Sequence, residues 1–190
     1  MTGTTSKTVF YTATTLDGYI ADPADSLDWL FVQDIDADGP MNYDSFITGV
    51  GALVMGATTY EWIRARIADG REKWSYTVPT TVVTHRDLPP IEGADVRFAS
   101  GDVAAVHAGL LAAAGGRDVW VVGGGDLAGQ FADAGLLDEI VVAIAPVTLG
   151  EGRPLFPRRY ALRLVEVERN RAFACARYAV LGPRTTDWAP

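Results

Sequence analysis

The stretch from Val119 to Pro146 constrains the fold more than any other part of the chain. It reads Val-Trp-Val-Val, then the three glycines Gly123, Gly124 and Gly125, then a helical pattern, then the apolar run Ile140 to Ala145 closed by Pro146. That order predicts strand, Gly-rich turn, helix, strand. Glycines lack the Cβ that would keep a ligand off the backbone. A helix beginning directly after them presents free N–H groups and a partial positive charge. Together these suit a phosphate or pyrophosphate. Taken alone, the motif leaves two readings open, an anion site or merely a tight strand–helix junction. A dinucleotide fingerprint can be laid over Gly123, Gly125 and Ala128. However, the next strand ends in Pro146 where that fingerprint wants an acid, and the unit comes late in the chain. This argues against a Rossmann fold.

The rest of the chain alternates in the same way. Strands are predicted at Thr8–Thr14, Ala52–Gly56, Thr80–Thr84 and Val96–Phe98 from β-branched and apolar runs. Helices are predicted at Asn42–Val50, at Thr58–Ile67, and after Asp102, an N-cap followed by Val103, Val106, Leu110 and Ala114 at helical spacing. Ala161–Glu168 and Arg171–Leu181 read as a hairpin joined at Arg169–Asn170. Residues 21–40 are rich in Asp, Pro and Gly around the island Ser26–Phe31, where Ser26 is a candidate helix cap. A polar stretch of that length is either functional or loose. The tail from Gly182 is expected to be loose. The fold class is therefore α/β, with a mostly parallel central sheet flanked by helices and an antiparallel C-terminal hairpin.

At 190 residues, 48% of them hydrophobic, the chain is expected to form a single domain (1–190, core about 8–181) with a real core. A net charge of −8 argues against a protein that tracks a nucleic-acid backbone. The lone cysteine, Cys175, permits no internal disulfide and reads as a buried structural thiol. Two histidines, His85 and His107, are too few for a typical histidine metal cluster, so no metal is expected. No signal-peptide core and no membrane-length apolar run is visible, so the expected location is cytoplasmic.

Three separated segments together resemble a known family. They are Thr14-Thr-Leu-Asp-Gly-Tyr-Ile-Ala21, Val54-Met-Gly-Ala-Thr-Thr-Tyr-Glu61, and the stretch from Val121-Val-Gly-Gly-Gly125 through Leu136-Leu-Asp-Glu139 to Ala145-Pro-Val-Thr-Leu-Gly-Glu-Gly-Arg-Pro-Leu-Phe156. In order and spacing they resemble the dihydrofolate reductase fold, most closely its riboflavin-biosynthesis branch, the RibD C-terminal domain-like proteins. The resemblance implies an NADPH-dependent reductase, NADH not being excluded. Its substrate would be a small pterin-like or pyrimidine-like heterocycle, as in dihydrofolate reductase or 5-amino-6-(5-phosphoribosylamino)uracil reductase. It also implies a possible homodimer.

Residue by residue, the resemblance places Ala13 and Ile20 at the nicotinamide, and Gly56, Thr58 and Thr59 at the pyrophosphate turn. It places Val122, Gly123, Gly124, Gly125, Asp126 and Leu127 along the glycine turn. Thr84, His85 and Arg86 fall near the adenosine end, where Arg86 could supply charge that Ala57, standing where relatives carry a base, does not. Asp28, with Asp25 as runner-up, is the candidate acid, and Trp29 and Phe31 could wall a flat substrate. The zinc-deaminase signatures His-x-Glu and Pro-Cys-x-x-Cys are absent from this sequence. The alternative function is a non-catalytic nucleotide-binding protein that retains the fold, for which Ala57 and Asp126 speak.

Overall fold

The computed structural model describes residues 6–184. Its chain order is β1 (Thr8–Thr15), β2 (Tyr19–Ala21), α1 (Asp28–Phe31), α2 (Tyr43–Thr48), β3 (Val50–Gly56), α3 (Ala57–Ala68), β4 (Thr80–Val83), β5 (Val96–Ala99), α4 (Val103–Ala114), β6 (Asp118–Val122), α5 (Gly125–Asp133), β7 (Glu139–Ala145), β8 (Arg153–Pro154), β9 (Tyr160–Asn170) and β10 (Phe173–Pro183).

Eight strands form one sheet in the order β5-β4-β3-β6-β1-β7-β10-β9. The first six are parallel, while β10 and β9 add antiparallel at one edge. The fold is mixed α/β with a mostly parallel central sheet, as the alternation predicts. The β6–α5–β7 unit does not join neighbours, because β1 lies between its two strands. The N-terminal strand is therefore buried in mid-sheet, with Val9 and Phe10 almost fully enclosed.

Alternating side chains divide the core between the two faces of the sheet. On one face, Phe10, Val54, Val119, Val121, Ile140 and Val142 pack under Leu110 of α4 and Leu127, Ala128 and Phe131 of α5. On the other, Leu53, Met55, Trp120 and Val122 pack under Tyr60 and Ile63 of α3. Farther along that second face, Trp29, Leu30 and Met41 cover Ala145, Phe173 and Cys175. Cys175 is the buried thiol expected, and burial raises its pKa.

The structure differs from the sequence reading in several details. The helix expected over 42–50 spans only Tyr43–Thr48, with the Asn42 side chain accepting from Ser45 N–H, and Val50 already belongs to β3. The N-cap of α1 is Leu27; Ser26 Oγ still accepts from Asp28 N–H at 3.1 Å. The hairpin turns at Arg171–Ala172, two residues later than expected, with Arg171 at φ 48°. Asn170 lies at the end of β9 rather than in the turn. Its buried side-chain amide accepts from Asp36 N–H and donates to the carbonyls of Asp36 and Pro40, pinning the long 21–42 segment. That segment is thus fastened. The strand β10 reaches Pro183, so the tail expected to be loose from Gly182 is ordered there, and residues 185–190 lie outside the described residues.

Candidate active site

The helices α3 and α5 follow adjacent strands, β3 and β6, yet leave them on opposite faces of the sheet. Such a divergence opens a crevice at the carboxyl ends of the strands, the place where open α/β sheets take ligands. The two motifs singled out in the sequence meet there. Gly56 caps α3 and Gly124 caps α5, and neither helix start has a side-chain cap. Both therefore leave their first backbone N–H groups without a side-chain acceptor at the cap. Thr58 and Thr59 are not the N-cap of α3. The Thr59 side chain instead lies where a Cβ on Gly123 would be, locking the two helix starts together. Gly123 sits at φ +79°, which favours glycine. Beside Gly56 and Gly124 the space is open. Gly125 is pressed against the carbonyls of Pro154 and Leu155, so the first turn of α5 abuts β8.

On the far side of β6, Ala13 of β1 stands opposite Ala143 of β7. The chain then turns at Leu16–Gly18 into β2, which carries Ile20 and pairs with β8. Neither short strand is visible in the sequence. Asp17 fastens this turn: its carboxylate accepts from Thr15 Oγ1 at 2.5 Å and from the amides of Leu149 (3.0 Å) and Gly150 (2.7 Å). The hydroxyl of Thr15, followed by those amides, holds the Asp17 carboxyl below its usual pKa. Val122, Leu127 and Ala128 are buried supports beneath the crevice.

Asp126 is not a free anion. Its carboxylate accepts from Gln130 Nε2 and Arg158 Nη2, both at 2.9 Å, and these bonds lower its pKa. Arg158 also binds Asp133, lying across Gly129 where a side chain would block it. At the other end of the crevice, Thr84 Oγ1 accepts from Arg86 N–H, His85 is exposed, and the Arg86 guanidinium grips Glu61 of α3.

The candidate acids lie on the same face as Ala13. A cleft of about 320 Å³ opens between residues 24–28 and the outer side of α3, where Trp62, Ala65, Arg66 and Asp69 line it. Asp28 is exposed on its wall, and its carboxylate has no hydrogen bond or ion pair among the described residues. Asp25 is different. It sits at φ 61° and is held in two bonds by Arg153 of β8, at 2.6 and 3.1 Å. Phe31 is half exposed, with the Arg66 guanidinium 5.1 Å from its ring centre and 4.7 Å from that of Trp62. Trp29 belongs to the core over Cys175.

Sequence reasoning passes over Tyr11, two residues before Ala13 and therefore on its face. Its ring stacks on Phe46 at 4.2 Å, and its hydroxyl donates to Met41 O. Burial, with smaller contributions from Cys175, Tyr43 and Asp44, pushes its pKa up to about 12. Together with Tyr43, Tyr76 and Trp120 it makes an aromatic wall continuous with the α3 face. The alternation of β1 is the signal that could have found it. Among the described residues no cluster of metal-ligating side chains occurs, and no helix is long and apolar enough to cross a membrane.

Sheet, crevice and glycine turns together define a dihydrofolate reductase-like fold. The chain aligns with dihydrofolate reductase of Enterococcus faecalis, solved with NADP(H) and RAB-propyl, at a TM-score of 0.55 and 18% identity, covering 92% of this chain and 96% of that one. It belongs to the RibD C-terminal domain family, whose pattern matches residues 7–176. The bifunctional diaminohydroxyphosphoribosylaminopyrimidine deaminase/5-amino-6-(5-phosphoribosylamino)uracil reductase of Thermotoga maritima aligns at a TM-score of 0.66 and 16% identity, covering 93% of this chain but 57% of that one. The uncharacterized protein YwjB of Bacillus subtilis is 30% identical over 152 residues, 79% of this chain and 82% of its own length.

Proposed function

We propose that this chain is a single-domain reductase that moves a hydride from NADPH, or from NADH, to a small pterin-like or pyrimidine-like heterocycle. One observation carries the reading. Two uncapped helix starts, each free of side chains at its cap, flank the switch point between β3 and β6 and are locked together by Thr59 against Gly123. That arrangement suits a pyrophosphate. The dinucleotide supplies the hydride when bound. On this reading Ala13, one strand away, leaves room for a flat ring beside the backbone, and Ile20 on β2 covers it. The cleft beside Asp28 lies on this face of the sheet, and on this reading Asp28 is the carboxyl group that provides the proton for the ring being reduced.

Gln130 and Arg158 hold the Asp126 carboxylate in hydrogen bonds, so it is an engaged group rather than a bare anion at the glycine turn, which weakens one of the two arguments for a binding-only protein. The test is titration of the protein with NADPH and with NADH, read by tryptophan fluorescence, followed by absorbance assays with dihydrofolate and pyrimidine-type acceptors. Saturable binding and acceptor-dependent nucleotide oxidation are expected. Binding of neither nucleotide would end the reductase reading, while binding without turnover across the acceptors would favour the binding-only alternative.

The proposal includes a homodimer. The outer edge of β9 pairs with no described strand, and Leu162, Leu164, Val165 and Val167 stand exposed along it. A contiguous apolar edge of this kind marks an interaction surface. In a two-fold antiparallel arrangement centred between Val165 and Glu166, Arg163 of one copy faces Glu168 of the other. Leu164→Glu with Val167→Glu, which sets like charges opposite each other across that seam, is expected to convert dimer to monomer in sedimentation; a monomeric wild-type protein would refute this.

A further inference from the structure

The parallel register sets Gly56 of β3 opposite Val83 of β4, so the chain leaving β4 through residues 84–86 runs beside the start of α3. It lies on the side of β3 away from β6 and the glycine turn. On the reading above, a dinucleotide has its pyrophosphate at the β3/β6 crevice and its reactive ring over β1. Its adenosine then extends the other way, over residues 84–86. NADPH differs from NADH only by a 2′-phosphate on that adenosine, and an arginine is the usual group for accommodating it.

The arginine present, Arg86, is already engaged. Its Nη1 and Nη2 donate to Glu61 Oε1 and Oε2 at 3.2 and 2.6 Å, the fork-to-carboxylate geometry a phosphate would otherwise take. The pair is solvent-exposed, with 55% of the Arg86 side chain and 38% of the Glu61 side chain accessible, so a ligand can reach it. Position 57, at the first turn of α3, is alanine, and Asp87 adds a further anion next to Arg86.

We propose that Glu61 is the residue that sets nucleotide selectivity, by occupying Arg86 and placing a negative charge where the 2′-phosphate must come. The protein consequently takes NADH about as well as NADPH. This rests on the reductase reading, because it needs the dinucleotide to lie across the crevice in that direction. Binding is by exchange of one anion for another at Arg86, so the competing carboxylate weakens NADPH alone and leaves NADH untouched.

The experiment is a comparison of Kd for NADPH and NADH in the wild-type protein, Glu61→Gln, Arg86→Gln and the double variant. Wild-type values are expected within about tenfold of each other. Glu61→Gln is expected to tighten NADPH by about three- to tenfold, the effect of removing one nearby charge from a dianion in a partly screened site, with NADH unchanged. Arg86→Gln should weaken NADPH only, and the double variant should recover part of that loss, because the repelling carboxylate is gone as well. An unchanged NADPH-to-NADH ratio in Glu61→Gln, or an equal shift for both nucleotides, would overturn the proposal while leaving the reductase reading in place. Failure of the wild-type protein to bind either nucleotide would remove both.

Discussion

Gly124→Ala is expected to leave the fold intact and to weaken nucleotide binding by about a hundredfold. A Cβ at Gly124 meets nothing within 4 Å, and the residue's φ of −40° and ψ of 118° are open to alanine. In the complex the new methyl group would stand in front of the α5 N–H groups. Crowding of this kind costs about 1–3 kcal/mol, and lost hydrogen bonds to a charged group cost about 1.5–3 kcal/mol each. The lower end of their sum, about 2.7 kcal/mol, corresponds to roughly two orders of magnitude in Kd. Gly123→Ala makes the contrast. There the Cβ would run into Thr59 at a backbone φ of +79°. Strain and crowding together are expected to cost the fold about 2–4 kcal/mol. Urea midpoints and fluorescence titrations on both variants separate the two effects. If Gly124→Ala binds nucleotide as the wild type does, the pyrophosphate does not lie against α5.

Asp28→Asn is expected to reduce kcat by about a hundredfold or more while leaving nucleotide affinity unchanged, the size of effect seen when a proton-transferring side chain is lost. The Asp28 carboxylate has no partner among the described residues and Asp28 lines the cleft, whereas Asp25 is held by both ends of the Arg153 fork. Asp25→Asn should therefore act through the placement of the loop, with a smaller change in kcat and a rise in KM. Steady-state assays with the best acceptor found decide between them. Full activity in Asp28→Asn together with a large loss in Asp25→Asn would reverse the two roles.

The parts of the fold legible in the sequence are those with periodicity. The strands of the sheet show as apolar runs, and α4 shows through Asp102, whose side chain accepts from Ala104 N–H, and the spacing of Val103, Leu110 and Ala114. The strands β2 and β8, of three and two residues, have no periodicity to read. Asn170 looks like a turn residue, but its amide is spent on Asp36 and Pro40, and the turn falls on Arg171. Gly123 and Gly125 are legible because a positive φ at the one and close backbone approach at the other admit little else. The charge pairs are not, since Asp25–Arg153 and Asp126–Arg158 join residues 128 and 32 apart in sequence. Pairing at such range follows from the topology, so the isolated residues look like free charges.

The segment from 22 to 36 is fastened at both ends and tacked to the core in between by Trp29 and Leu30, while Asp28 and Phe31 stay exposed. Arg153 and the β2–β8 ribbon hold one end, and Asn170 holds the other. The crevice, by contrast, is built from strand ends and helix starts that the whole sheet depends on. These two regions are under different constraints. Sequence change within the fastened stretch can reshape the cleft by Asp28 without disturbing the glycine turns. Within this architecture the crevice and the cleft are separate structural units, so likeness in the sheet between two such chains carries little information about what each one takes into its cleft.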